Sequence, residues 1–432
     1  MAETTPDAPA LPVPSAPVPS APVPSARALL RERDYLAFWI CRWTGGFAGQ
    51  IQSVAMGWQM YGLARAAGKT VDESAFLVGM LGLASFVPVF LLALIAGEAA
   101  DRYDRKKVLL CCFAGEIATV LTLALASWQG WISPSIMMGV AFLFGCARAF
   151  FAPANTALGP MLVPRELLPR AIAWNSLAWQ TASIIGPAAA GFLVAQSTTA
   201  AYLTTFGLYV VSGSAVLAIR KSGQPQVSPG SRWQLMKEGL SYVWNQKIVF
   251  GAISLDLFAV LLGGVTSLLP SFARDILHIG AQGFGVLRSG PAIGATVVAL
   301  LLAARPIRRH AGLFMLGGVG LYGLATCVFA QSRILWVSVA ALAVLGGADM
   351  LSVYVRQTLV QLVTPDPMRG RVAAVSSVFI GASNEFGEFE SGVVARFLGP
   401  VGAALFGGVG ALVVVAAWSG LFPALRKADR LE

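Results

Sequence analysis

The sequence predicts an all-α membrane protein: twelve transmembrane helices in two pseudo-symmetric six-helix bundles. Composition is the first reason. Of 432 residues, 56% are hydrophobic and only 12% are charged, about half the charged share of a water-soluble domain. Segmentation is the second: the apolar residues gather into twelve runs, each long enough for a helix to cross a hydrocarbon core of about 30 Å. Repetition is the third, because landmarks of the first six runs recur in the second six at a constant offset of 201 positions. Helices are required because backbone polar groups in lipid must bond within their own segment, and the alternating pattern of barrel strands is missing.

Residues 1–33 read as a disordered, Pro-rich cytoplasmic tail. A Pro-Val-Pro-Ser-Ala unit recurs three times between Pro12 and Ala26, which favours extended chain with nothing to bury. It lacks the basic start, apolar core and cleavage site of a signal peptide. The first bundle occupies 34–219, with spans at 36–62, 74–99, 108–127, 134–160, 171–196 and 201–219. The second occupies 249–425, with spans at 249–272, 284–304, 312–330, 334–360, 372–396 and 400–422, and 426–432 is a cytoplasmic tail. Between the bundles, the linker 220–248 begins Pro/Gly/Ser-rich from Lys221 to Gly230. It then sets Trp233, Met236, Leu240, Val243 and Trp244 on one helical face. That face suits a helix lying at the membrane surface, or an amphipathic lead-in to the seventh span.

Charge sets the orientation. Of 31 Lys and Arg residues, 22 fall in the two tails, the linker and alternate loops such as 102–107, 165–170, 305–309 and 369–371. The opposite side holds five: Arg65, Lys69, Arg274, Arg333 and Arg396. Such asymmetry puts both termini in the cytoplasm. The net charge of +10 is therefore a topology signal and not a nucleic-acid-binding surface. Five cysteines scattered in apolar runs and two histidines in loops on opposite sides offer neither a metal cluster nor a nucleophile–base pair. No metal, cofactor or enzymatic activity is expected, and without a phosphate-cradling Gly-Lys-Ser/Thr loop ATP is not the direct energy source.

The repeat aligns Gly145 with Gly346, Pro164 with Pro365, Arg170 with Arg371, Gly186 with Gly387 and Gly191 with Gly392. Parallel repeats of this kind belong to transporters with a substrate site between their halves. The loop Gly97-Glu98-Ala99-Ala100-Asp101-Arg102-Tyr103-Asp104-Arg105-Lys106-Lys107 resembles the signature of the major facilitator superfamily, with Asp104 where many members have glycine. Gly186-Pro187-Ala188-Ala189-Ala190-Gly191 resembles the Gly-Pro motif of its exporters. Arg42, Gln59, the Ala100–Tyr103 segment and Arg369–Arg371 are similar to the enterobactin-exporter branch. The resemblance covers nearly all of 34–425. It implies a monomeric fold without a cofactor in the lipid bilayer of the bacterial inner membrane. It also implies export of a siderophore-like or drug-like small molecule by alternating access, coupled to protons. Uptake or facilitated passage of an organic solute is the alternative.

Charges inside an apolar run cost at least about 2.5–3.5 kcal/mol without partners or water, so they mark candidate sites. Arg148 and Asp349 are related by the 201-residue offset, and Arg356 and Asn155 each follow seven residues later, two turns on along the same face. The resemblance implies that helices 1, 4, 7 and 10 line a central cavity. Arg148 and Asp349 are then expected to face each other across it, with Asn155, Arg356, Gln52 and Gln59 nearby; the alternative for the pair is that each is held by local helix contacts and stabilises packing. Helix packing is the alternative for the two glutamines. Asp349, Glu385, Glu388, Glu116 and Asp256 are proton-coupling candidates, although helix 11 is expected to pack beside the lining. Gly97, Asp101, Arg102, Arg105 and Lys106 form a conformational gating loop whose charges pair across the halves in one state. Gly186, Pro187 and Gly191 form the exporter-type motif.

Overall fold

Polar caps mark where the apolar runs become helices. A capping box between Thr70 and Glu73 opens α2 (Val71–Arg102), Asp104 opens α3 (Arg105–Gln129) by accepting from the Lys106 backbone N–H at 2.9 Å, and Ser133 opens α4 (Pro134–Leu158). Each cap satisfies amide groups that the first helical turn leaves unpaired. Asp104 thus has a local task in the loop where the family pattern has glycine. The other helices of the first set are α1 (Arg33–Ala66), α5 (Leu168–Gln196) and α6 (Thr198–Ala218). The second set comprises α8 (Lys247–Leu262), α9 (Gly280–Ala304), α10 (Ala311–Gln331), α11 (Leu335–Val363) and α12 (Asp366–Leu421), preceded by α7 (Arg232–Asn245) and followed by a short α13 (Pro423–Arg426).

This computed structural model describes residues 29, 31–221, 223, 232–307 and 309–428. The Pro-rich repeat, most of the Lys221–Gly230 segment, Arg308 and the side chain of Trp233 lie outside the described residues. Among the described residues the fold is all-helical, and ten helices are long and apolar enough to cross a membrane. Large apolar side chains cover the outside, among them Leu91, Leu300 and Phe397, while Trp128, Trp131 and Trp336 stand at helix ends. In a membrane protein such side chains meet lipid tails and headgroups.

Two elements depart from the expected spans. The seventh is not one helix over 249–272. It breaks after Leu262 at Gly263 and Gly264, then continues through a tight turn at Val265–Leu268 and a wide turn at Phe272–Ile276. The carbonyl freed at Gly263 accepts the Tyr322 hydroxyl at 2.7 Å, which removes the cost of an unpaired backbone group away from water. The eleventh and twelfth expected spans run together as the 56-residue α12, interrupted only at Gly399 with φ +72°. Glycine tolerates this left-handed conformation, and Pro400 has no N–H to continue the preceding ladder.

Packing within each set follows one scheme. A Cβ on Gly145 in α4 would lie 2.0 Å from the Ser85 carbonyl oxygen of α2, and a Cβ on Gly346 in α11 would lie 2.0 Å from the Pro291 carbonyl oxygen of α9. The equivalent glycines therefore allow equivalent close crossings. The two sets meet where α2 touches α12 and α5 touches α9. Gly79 faces Gly392 at the first crossing and Gly191 faces Gly285 at the second, so backbone rests on backbone. Helix α7 docks on the second set: Val243 joins Val249, Ile253, Val360, Val372 and Val375, the Tyr242 hydroxyl donates to the Val363 carbonyl at 3.1 Å, and Glu238 pairs with Arg371 at 2.5 Å. Leu240 and Trp244 remain exposed, so the expected single apolar face is divided between protein and surroundings.

Candidate substrate cavity

A cavity of about 650 Å³ lies between the two sets, within the usual size of small-molecule pockets. Helical periodicity gathers its charges. On α3, Phe113 and Glu116 are three residues apart. On α4, Phe144, Arg148, Phe151 and Asn155 recur at intervals of three or four, which keeps them on one face. On α9, Phe284 and Arg288 are four apart; on α12, Gly381, Glu385 and Glu388 follow the same rule, and all of these line the cavity. Helix α1 adds Arg42, Gln50 and Ser53 among glycines, and the broken extension of α8 adds Thr266, Ser267 and Pro270.

Three guanidinium groups (Arg42, Arg148, Arg288) and three carboxyl groups (Glu116, Glu385, Glu388) face this space. Arg288 lies 3.9 Å from Glu388, and the Arg148 guanidinium stands 5.6 Å from the ring centre of Phe144. Glu116 is only 5% exposed. The buried Asn155 side-chain oxygen has no hydrogen-bond partner, so it offers an acceptor to a ligand. Phe86, Phe113, Phe144, Phe151, Trp179 and Phe284 supply apolar walls. Opposed charges at low dielectric interact strongly, so the chamber accommodates a polar or charged solute alongside its apolar part.

Contacts between the sets seal one end, opposite the basic loops. The fully buried Tyr61 of α1 donates its hydroxyl to Asp275 at 2.5 Å, and Arg65 reaches the other oxygen of the same carboxylate at 3.3 Å. Arg274 covers the Trp58 ring at 5.7 Å, Trp58 stacks on Phe284 at 5.5 Å, and Phe86 meets Phe386 edge-on at 5.2 Å. Arg396 covers Phe76 at 5.1 Å. Toward the basic loops, the lining extends to Arg42, Thr156 and Trp179.

Several expected placements are corrected. Arg148 and Asn155 line the cavity, but Asp349 does not face Arg148 across it. Asp349 lies within the second set, beside Asp256 and Tyr322. Arg356 is also outside the cavity, 2% exposed and bonded to Asp256 at 2.7 Å, so Asp256 is likewise a partner inside the helix packing. The groups opposite Arg148 belong instead to α9 and α12, and Glu385 and Glu388 line the cavity where helix 11 was expected beside it. Gln52 and Gln59 turn away toward α6. Tyr209 donates to Gln52 at 3.0 Å; Gln59 accepts from Tyr202 at 2.7 Å and donates to Ser127 at 2.8 Å. Gln50 is the α1 glutamine that reaches the cavity, because the cavity-facing strip of that helix runs through Gly46, Gln50 and Ser53.

Three side chains of the loop signature bond within the first set. Arg102 pairs with Glu98 at 2.7 Å, Arg105 donates to the Ala100 and Ala157 carbonyls at 3.2 and 3.3 Å, and Lys106 donates to the Leu217 and Ile219 carbonyls at the end of α6. Gly97 is buried in α2, and Asp101 is partly buried beside it. Gly186 packs on Gln50 of α1, while Pro187 and Gly191 form the close crossing with Gly285. Sequence reasoning passed over Arg288, though an arginine within an apolar run was a readable signal. It also passed over Asp275, which carries no such signal beside Arg274 in a loop.

A polar chamber between two sets of membrane-crossing helices, lined by both, defines a membrane transporter and not an enzyme. The chain belongs to the transmembrane secretion effector family of the major facilitator superfamily, whose model matches residues 24–432. Among curated proteins it is similar to the enterobactin exporter EntS of Citrobacter koseri, 28% identical over 357 residues, covering 79% of each chain. EntS of Shigella boydii serotype 4 is 27% identical over 364 residues, again covering 79% of each. Solved structures show the same fold. A bacterial homologue of the iron transporter ferroportin in an inward-facing state matches with TM-score 0.66 at 16% identity, over 90% of this chain and 99% of that one. A D-xylose–proton symporter matches with TM-score 0.66 at 11% identity, over 90% and 97%.

Proposed function

We propose that the chain is a monomeric exporter of the bacterial inner membrane that moves a small organic molecule out of the cytoplasm by alternating access. In this reading twelve spans form two six-helix bundles at 34–219 and 249–425. The spans are the ten apolar helices with α1 added and the arms of α12 on either side of Gly399 counted separately. The paired crossings of Gly145 and Gly346, and of Gly191 and Gly392, support a pseudo-twofold between the bundles. The basic loops and both termini face the cytoplasm. The chamber is then open inward and sealed outward at Asp275.

One observation carries the reading: a 650 Å³ charged chamber lined by both bundles, with its seal at one end. Glu116, Glu385 and Glu388 are the groups that exchange a proton against cargo, and Arg148 and Arg288 are guanidinium groups facing the same space. Asp101, Arg102, Arg105 and Lys106 gate the cytoplasmic side by pairing across the bundles once that side closes. The relatives named enterobactin exporters favour a siderophore as cargo, and the aromatic walls suit a drug-like amphiphile as well. Inside-out vesicles with an imposed proton gradient test this, using a radiolabelled catecholate siderophore and a drug panel. The reading expects gradient-dependent accumulation of at least one compound. Accumulation unchanged after collapsing the gradient overturns proton coupling, and accumulation only in right-side-out vesicles overturns export.

A further inference from the structure

A second polar pocket lies wholly inside the second set, away from the chamber. Asp256 of α8, Tyr322 of α10, and Asp349 and Ser352 of α11 line a cavity of about 10 Å³, room for one water-sized occupant. Asp349, Ser352 and Arg356 stand at intervals of three and four on one face of α11, so the helix presents them together. Arg356 bonds to Asp256 through one nitrogen at 2.7 Å. That leaves two carboxylates against one guanidinium.

Two further observations point to an occupant. The Ser352 hydroxyl, on a residue 2% exposed, has no hydrogen-bond partner. Buried polar groups are ordinarily paired, so an orphan hydroxyl beside an uncompensated carboxylate marks a space for a donor or a cation. The Tyr322 hydroxyl spends its proton on the Gly263 carbonyl at 2.7 Å, which leaves its oxygen lone pairs to the pocket. Every available acceptor is therefore oxygen, the chemistry of hard cations. A doubly charged ion would overcompensate the single excess negative charge. A monovalent one balances it.

We propose that Asp256, Asp349, Ser352 and Tyr322 form a binding site for one small monovalent cation, a proton or a sodium ion, separate from the substrate chamber. The site adjoins the break in α8 at Gly263, beyond which the same chain lines the chamber at Thr266 and Ser267 and then carries Asp275 into the outer seal. Occupancy thus acts where α8 changes direction.

The test uses the purified full-length protein and does not depend on knowing the cargo. Binding of radiolabelled sodium is measured against choline, and proton release is followed with a pH dye between about pH 5 and 9. Wild type is compared with Asp349→Asn and Ser352→Ala, each checked for a single species by size exclusion. For sodium, wild type binds saturably, Asp349→Asn loses binding and Ser352→Ala weakens it several-fold. For a proton, no saturable sodium binding is seen, and Asp349→Asn exchanges one proton fewer per molecule than wild type. Should Asp349→Asn fail to fold, Ser352→Ala decides, since it removes one oxygen without changing charge; it then weakens sodium binding or shifts the pH midpoint of proton release. Sodium binding and proton release that are the same in all folded variants overturn the site.

Discussion

Asp275→Ala tests the seal most directly. Its carboxylate joins the two sets through the Tyr61 hydroxyl at 2.5 Å and Arg65 at 3.3 Å. A hydrogen bond to a charged group contributes about 1.5–3 kcal/mol. The Arg65 pair, with side chains 34% and 22% exposed, adds roughly 0.2–1 kcal/mol after solvent screening. Tyr61 is fully buried, so the variant also leaves its hydroxyl without an acceptor while the seal is closed. Under the proposed alternating access, a combined loss of about 2 kcal/mol shifts the balance between the sealed and open states of this end about thirtyfold. The assay is pulsed electron spin resonance between labels at Lys69→Cys and Gln331→Cys, both exposed and on opposite sets, with the five native cysteines replaced. A longer distance component should appear in Asp275→Ala. A folded variant with the distance distribution of its parent refutes the reasoning.

Three other perturbations separate structural from transport roles. Gly191→Ala puts a Cβ 2.6 Å from the Ala281 carbonyl oxygen and 2.8 Å from the Gly285 Cα. Overpacking of this kind costs about 1–3 kcal/mol, and crosslinking between cysteines placed on α5 and α9 near the crossing should fall in yield. Glu385→Gln removes a titratable group from the chamber; cargo binding by the purified protein should persist while gradient-driven accumulation in vesicles falls to the uncoupled level. Gln59→Leu breaks the bonds to Tyr202, Ser127 and Thr198 and should cost about 1–3 kcal/mol of stability, read as a lower melting midpoint in detergent, with the preference among cargoes unchanged.

Much of the architecture was legible because lipid leaves few solutions. Long apolar runs must be helices, and the offset of 201 carried Gly145 onto Gly346 and Gly191 onto Gly392, pairs that mediate equivalent crossings. The break at Gly263 was hidden because an apolar sequence reads the same whether its helix continues or stops; only the Tyr322 partner shows how the freed carbonyl is satisfied. The site was half legible. Arg148 and Asn155 stood out as polar residues on one face of α4. Which face meets the chamber depends on the rotation of each helix about its axis, and no single sequence prints that angle. Gln52 and Gln50 differ by two positions, and one bonds to Tyr209 while the other reaches the cavity. Asp349 was misplaced for the same reason.

The glycine contacts between Gly79 and Gly392, and between Gly191 and Gly285, bear on how such a molecule diversifies. Where main chain touches main chain, the spacing of the axes is fixed by atomic radii and is insensitive to rotamers elsewhere. The cavity walls can therefore change without altering these crossings, so the side chains that face a solute and the backbone contacts that join the two sets answer to separate constraints.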